Sequence, residues 1–314
     1  MSVPDWPTSY GYNMFLFPIS KWVGGILYEH THRLVASAVG FLTIILMVWL
    51  WIKEERPWLR WLGTFALLAV ILQGVLGGLR VIQFKQELGI FHAILAQLFF
   101  VLVSAIALFT SRVWPRLARI AADRSAARRL SRAVWIAAIL IFFQLALGAS
   151  MRHQHAGLAV PDFPLAYGKV WPATDAPSLN QINQKTADAR DFAPITKAQI
   201  EMHMMHRFLA FLIVSAVSVV AMIAFKEAGA RRIPVLISKL AWFWMGLIFL
   251  QATLGVATVL TNKAADIATA HVLVGALSLV TGSLTLIVLS RFDVASNARP
   301  ATVSARSEVR FASV

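Results

Sequence analysis

Seven apolar stretches, each long enough to cross a bilayer, constrain this chain more than any other feature. They are Leu34–Ile52, Trp61–Leu79, Leu88–Ser111, Ala133–Met151, Phe208–Phe225, Leu240–Asn262 and Ile267–Ser290. A helix needs about 20 apolar residues to span the hydrocarbon. It must be a helix, because an open strand would leave its backbone polar groups unpaired in lipid. Composition agrees: 58% of residues are apolar, 14% are charged, and the mean hydropathy is +0.68. Soluble domains are about half apolar and about a quarter charged, so a water-soluble enzyme is excluded. The expected class is an all-α polytopic membrane protein.

The formal net charge of +14 reads as a topology signal. Lys53, Arg56 and Arg60 fill one loop, and Arg112, Arg116, Arg119, Arg124, Arg128, Arg129 and Arg132 another. Lys226, Arg231, Arg232 and Lys239 fill a third, and Arg291, Arg299, Arg306 and Arg310 lie in the tail. Alternate loops, around Lys85 and Lys263, are nearly neutral. Basic loops stay in the cytoplasm. The cytoplasmic side therefore takes the linker 112–132 and the tail 291–314, and residues 1–28 lie outside. Charge confined to loops in this way gives no nucleic-acid surface. The opening residues Met1-Ser2-Val3-Pro4-Asp5-Trp6-Pro7 have neither a basic start nor an apolar core, and so do not form a signal peptide.

The chain is written twice. Val3-Pro4-Asp5-Trp6-Pro7 recurs as Val160-Pro161-Asp162-Phe163-Pro164, His32-Arg33 as His206-Arg207, and His92 as His271. Gln73-Gly74-Val75-Leu76-Gly77 recurs as Gln251-Ala252-Thr253-Leu254-Gly255, and a third Gln-x-x-Leu-Gly stands at Gln144–Gly148. That third copy ends a span with no counterpart in the first half. The pattern predicts two tandem pseudo-symmetric helix bundles of four helices each, with the first helix absent from the seven spans. The halves are 1–111 and 133–290, the latter with an outer loop at 152–200. Parallel repeats of this kind are related by an axis along the membrane normal.

Four of the eight histidines, His32, His92, His206 and His271, belong to the repeat. All four sit near the outer ends of helices running from outside to inside. The chain has no cysteine, which excludes disulfides, iron–sulfur clusters and thiolate relays. Paired imidazoles in an apolar bundle suit haem iron, whereas a closed zinc site wants four ligands. The alternative for each histidine alone is a hydrogen-bonded packing residue. Arg33, Arg80, Arg152 and Arg207 are candidate propionate contacts. The halves differ at one place: Glu29 precedes His32 by three residues, and the matching position before His206 is His203. A carboxylate there can take a proton or stabilise developing positive charge; it can equally be a helix N-terminal charge favoured by the dipole.

Glu29-His30-Thr31-His32-Arg33, the two Pro-Asp-aromatic-Pro segments, the Gln-x-x-Leu-Gly helix ends and the histidines at 92, 206 and 271 together resemble the haem A synthase family. The resemblance covers about residues 3–290. It implies a multi-pass enzyme of the cell (inner) membrane, of eight helices in two halves, that oxidises the C8 methyl of haem O to a formyl group. It implies a haem b cofactor between His206 and His271, a substrate-haem site at His32 and His92, and Glu29 as the catalytic carboxylate. It also implies haem O synthase and cytochrome oxidase assembly as partners, with membrane lipid around the chain and room for an oligomer. His30, His153, His155 and His203 are not carried over as ligands. The rival reading is a non-catalytic di-haem b electron-transfer protein, which gives Glu29 no role. An assembly or transport protein with packing histidines is a further rival.

Overall fold

The computed structural model describes residues 3–186 and 194–297; Arg299, Arg306 and Arg310 of the basic tail lie outside the described residues. Among the described residues, seven helices are long and apolar enough to span a membrane: α1 (Gly24–Lys53), α2 (Pro57–Gln83), α3 (Gln86–Thr110), α5 (Arg124–His153), α7 (Lys197–Gly229), α8 (Val235–Leu260) and α9 (Ala265–Asn297). Two short helices, α4 (Val113–Leu117) and α6 (Ala176–Thr186), lie between them. The chain is thus a multi-pass helical membrane protein, as its hydropathy pattern requires.

Several helices outrun the apolar stretches that announce them. Helix α1 begins ten residues before Leu34, and α7 eleven before Phe208. Hydropathy marks only the lipid-facing length, whereas a helix continues while its backbone bonds and caps persist. Thr196 caps α7 in a reciprocal capping box with Gln199. His32 and His206 consequently lie more than two turns inside their helices. The stretch 112–132 is likewise only partly a linker, because α5 starts at Arg124, capped by the Asp123 side chain on Ala126 N–H.

The second half forms a closed ring: α5 packs on α7 and α9, and α8 packs on the same two helices. Its core includes Leu130, Val134, Val217, Ile237, Trp244 and Leu289, all buried. Gly282 admits the Trp244 indole, since an added Cβ there would stand 2.6 Å from the ring. At the basic end, Arg129 on α5 meets the buried Glu227 of α7 at 2.7 Å, and Arg232 stands at 3.6 Å. The first half is an open array in which α1 packs on α2, and α2 on α3. Helix α3 then joins the halves by packing on α5 and α9. Arg56 secures the turn between α1 and α2, pairing with Glu54 at 2.7 Å and donating to the Phe109 carbonyl at the end of α3.

Candidate functional site

Both Pro-Asp-aromatic-Pro segments fold alike. The Asp5 carboxylate accepts the backbone N–H groups of Tyr10 and Gly11 at 2.7 and 2.9 Å. Asp162 does the same with Tyr167 and Gly168 at 2.8 and 3.1 Å. Tyr10 and Tyr167 both have φ 52°, and Gly11 and Gly168 follow at φ 77° and 75°. The carboxylate therefore closes a left-handed turn that otherwise strains a side chain. Burial raises the Asp5 carboxyl, but the Gly11 N–H, the Thr8 hydroxyl and the Tyr10 N–H more than offset it and hold it at about 2.

The arginine of each His-Arg pair clamps its loop. Arg33 donates to the carbonyls of Asp5, Thr8 and Val3 at 2.7, 2.9 and 3.1 Å. Arg207 donates to those of Asp162, Leu165 and Val160 at 2.7, 3.0 and 3.1 Å. The propionate role expected of Arg33 and Arg207 thus meets a competing use, because these guanidinium N–H groups are directed at loop carbonyls. Sequence reasoning missed the clamp, although the two motifs recur together in both halves and that pairing was the available signal.

Beneath the loops the four repeated histidines come together in two pairs. The His32 and His92 ring centres are 6.4 Å apart, and those of His206 and His271 are 6.5 Å apart. A metal–imidazole bond of about 2 Å on each side, with each ring centre about 1 Å behind its nitrogen, places two axial rings about 6 Å apart. At this spacing His32 with His92, and His206 with His271, would be the residues to hold a metal-centred group. Among the described residues no three His, Cys, Asp or Glu side chains converge as a bare metal ion would need. A flat macrocycle that brings its own four donors matches a pair.

The Gln-x-x-Leu-Gly segments meet these histidines directly. His92 Nδ1 lies 3.2 Å from the Gln73 carbonyl, and His271 Nδ1 lies 3.1 Å from the Gln251 carbonyl. A carbonyl only accepts, so Nδ1 carries the hydrogen and Nε2 keeps its lone pair for a metal. At His271 the Gln251 side-chain amide stands 3.4 Å from Nε2, so it would have to move aside for a metal to take that lone pair.

Glu29 sits one turn before His32. Its carboxylate accepts the Val3 N–H at 3.2 Å and pairs with Arg33 at 3.3 Å. His203, the matching residue in the other half, is buried, and its Nδ1 has no partner. Of the histidines left without a ligand role, His30 is fully buried against Phe17 and Trp22 and bonds Ser9 Oγ at 3.2 Å. His153 belongs to α5 and lies over Gly89 of α3, where an added Cβ would stand 2.5 Å from the ring. His30 is a packing residue, and His153 is half-buried against α3. The outer loop is itself packed, through Val160, Ala166, Ile182, Ile195 and Ile200.

Two imidazole pairs set in a multi-pass helical bundle are what a membrane protein that binds flat, metal-centred ligands would need. Comparison with known proteins makes this specific. A family model described as cytochrome oxidase assembly protein matches residues 7–282, and the chain belongs to that family. It is similar to the heme A synthase of Rhizorhabdus wittichii, 30% identical over 262 residues, covering 80% of this chain and 68% of the relative. It is also similar to the heme A synthases of Shouchella clausii, 29% identical with 82% and 77% covered, and of Halalkalibacterium halodurans, 26% identical with 91% and 86% covered.

Proposed function

We propose that this chain makes haem A, oxidising a methyl group of haem O to a formyl group. The single observation that carries this reading is an asymmetry between two otherwise matching imidazole pairs. Both have nearly the same ring separation, and only the first has a carboxylate, Glu29, one turn before its leading histidine. In this reading His32 and His92 hold the substrate haem, and His206 and His271 hold a resident haem b. When bound, that haem b supplies electron transfer.

The chain's own residues do the rest. The Val3 N–H and Arg33 hold the Glu29 carboxylate at a fixed place beside His32. From there it takes a proton from the reacting methyl position or stabilises positive charge spread onto the macrocycle, a role typically worth about 10²–10⁴-fold. Going from methyl to formyl, with water counted as the oxygen source, releases four electrons and four protons and adds one oxygen atom. An external oxidant is therefore a required co-reactant, either dioxygen or an electron acceptor with water supplying the oxygen. A geminal diol that loses water leads to the formyl group. Arg80 and Arg152 are the proposed propionate contacts. They lie close enough to repel each other, and Lys263 in the turn before α9 joins them. Burial, and then the Arg152 charge, push the Lys263 ammonium down from its ordinary value, so an anion at this cluster relieves both.

The proposed domains follow: 1–111 as the substrate-haem bundle, 112–123 as the cytoplasmic linker, 124–290 as the haem b bundle, which takes in the whole of α5, and 291–314 as the tail. With basic loops inside, the C-terminus is cytoplasmic. A haem O-forming enzyme supplies the substrate, and cytochrome oxidase assembly consumes the product. Membranes co-expressing the chain with a haem O synthase test the function, with haems separated by chromatography and identified by mass. Haem A that disappears in Glu29→Ala, with haem content retained, supports the proposal. Haem O alone in wild-type membranes containing folded, haem-loaded protein would overturn it in favour of an electron carrier.

A further inference from the structure

The Gln-x-x-x-Gly segment occurs three times, and each copy lies against one repeated histidine of another helix. We propose that these segments are histidine cradles, whose glutamine and glycine are positioning residues that set the orientation of the iron-binding imidazoles. The inference rests on the haem-ligand reading of the two pairs and goes beyond it, because it assigns the rotation of the rings to residues that never touch the metal.

The geometry recurs. Gly77 on α2 faces His92 on α3, Gly255 on α8 faces His271 on α9, and Gly148 on α5 faces His206 on α7. A Cβ added at these glycines would stand 3.2, 3.1 and 3.4 Å from the ring Cε1, respectively. Four residues earlier on the same face stands the glutamine. At Gln73 and Gln251 its main-chain carbonyl meets the histidine Nδ1, fixing the tautomer. At Gln73 and Gln144 its side-chain amide donates to the main-chain carbonyl of His92 and His206, at 2.9 and 3.0 Å, tying the two helices together. The glycine lets the ring edge lie close to the helix surface, and the carbonyl then reaches Nδ1. Such partners fix ring orientation and ligand basicity, and their loss typically costs about 10–100-fold in metal affinity. His32 is the one repeated histidine that no Gln-x-x-x-Gly copy faces. It lies on the exposed face of α1.

Alanine substitutions give a graded test on the purified full-length chain. Gly255→Ala and Gly77→Ala require the His271 and His92 rings to give by a few tenths of an ångström, whereas Gly148→Ala makes only ordinary contact. Gly246→Ala on α8 and Gly74→Ala on α2 meet nothing within 4 Å and serve as controls on the same helices. The readouts are haem content, the low-spin electron paramagnetic resonance signal and the reduction potential of the resident haem. Gly255→Ala should shift the signal and the potential and lower haem retention about tenfold. Gly77→Ala should leave the resident haem untouched and shift only haem held in the first half, while Gly148→Ala and both controls resemble wild type. Gln144→Leu, which removes the tie without adding bulk, should shift the signal less than Gly255→Ala. Haem-loaded Gly255→Ala with wild-type signal and potential would overturn the cradle and leave the haem reading standing. Wild-type protein purified without a Soret band would remove the haem reading and the cradle with it.

Discussion

The two halves carry the same local chemistry on different amounts of packing. In the second half four helices close a ring around a continuous core, and the most apolar window of α9 is 56% buried. In the first half α1 leans on α2 and the equivalent figure for α1 is 11%. Yet the ring separations of the two histidine pairs differ by only 0.1 Å. The comparison teaches that the site is assembled from helix pairs and a clamped loop, and a closed bundle is not needed to bring the imidazoles together. Stability and ligand geometry are therefore separable here, and each can be attacked alone.

The largest separation is expected at the ligands. His206→Ala or His271→Ala should abolish the low-spin spectrum of the resident haem, whereas His92→Ala should leave it intact, as reduced-minus-oxidised spectra of purified protein would register. Loss of the same signal in all three variants would mean that the halves do not hold independent sites.

Next come the loop clamps. In the open half little besides α2 and the segment before it holds α1, so Arg33 has more to do than Arg207. Arg33→Ala removes three bonds to loop carbonyls and leaves Glu29 without its ion pair, at about 3 kcal/mol. Arg207→Ala removes three equivalent bonds from a less buried site and should cost about 1–2 kcal/mol. Thermal unfolding in detergent checks the order, and equal losses would contradict the idea that the first half depends on its loop.

Core packing separates the halves in the opposite sense. Gly282→Ala collides with the buried Trp244 and should destabilise the closed half by about 1–3 kcal/mol. Gly40→Ala on α1 meets nothing within 4 Å and should be neutral or slightly stabilising, since alanine is the better helix former by about 1 kcal/mol. The same unfolding experiment reads both.

Much of this arrangement was legible in the sequence, and the exceptions have physical causes. Apolar runs gave the seven helices, because lipid demands them, and the order of repeated motifs identified which histidines pair. Helix ends such as Gly24 and Lys197 were not legible, since polar extensions beyond lipid leave no hydropathy signal. The clamps escaped because main-chain carbonyls have no sequence signature: nothing in the letters says that Arg33 meets Asp5, Thr8 and Val3. Nothing in the sequence says which side chain the glycines at 77 and 255 face; only the structure locates the imidazole against each. The burial of His30 was not legible either, since it depends on how the 3–23 segment docks on α1.

The smallest effect is the pH dependence of the twin loops. Asp5 is held at about 2, below its ordinary 3.8, so its contribution is complete above about pH 4 and disappears as pH falls towards 2. Asp162 is also lowered; burial opposes the shift, and the N–H groups of Tyr167 and Gly168 outweigh it. Asp5 has one donor more, because Thr8 gives it a hydroxyl at 2.5 Å where the second loop has Leu165. The first loop should therefore keep its turn to lower pH than the second, although the half beneath it is the less tightly packed. Fluorine resonances from labelled Trp6 and Phe163, followed in detergent from pH 5 to about pH 2, should move at a lower pH for Trp6. Asp5→Asn should remove the pH dependence of the Trp6 signal at a cost of about 1 kcal/mol, and Thr8→Leu should bring the two loops to the same midpoint. Coincident midpoints in the wild-type chain would show that the extra hydroxyl adds nothing and that the loops respond to acid through the helices they cap.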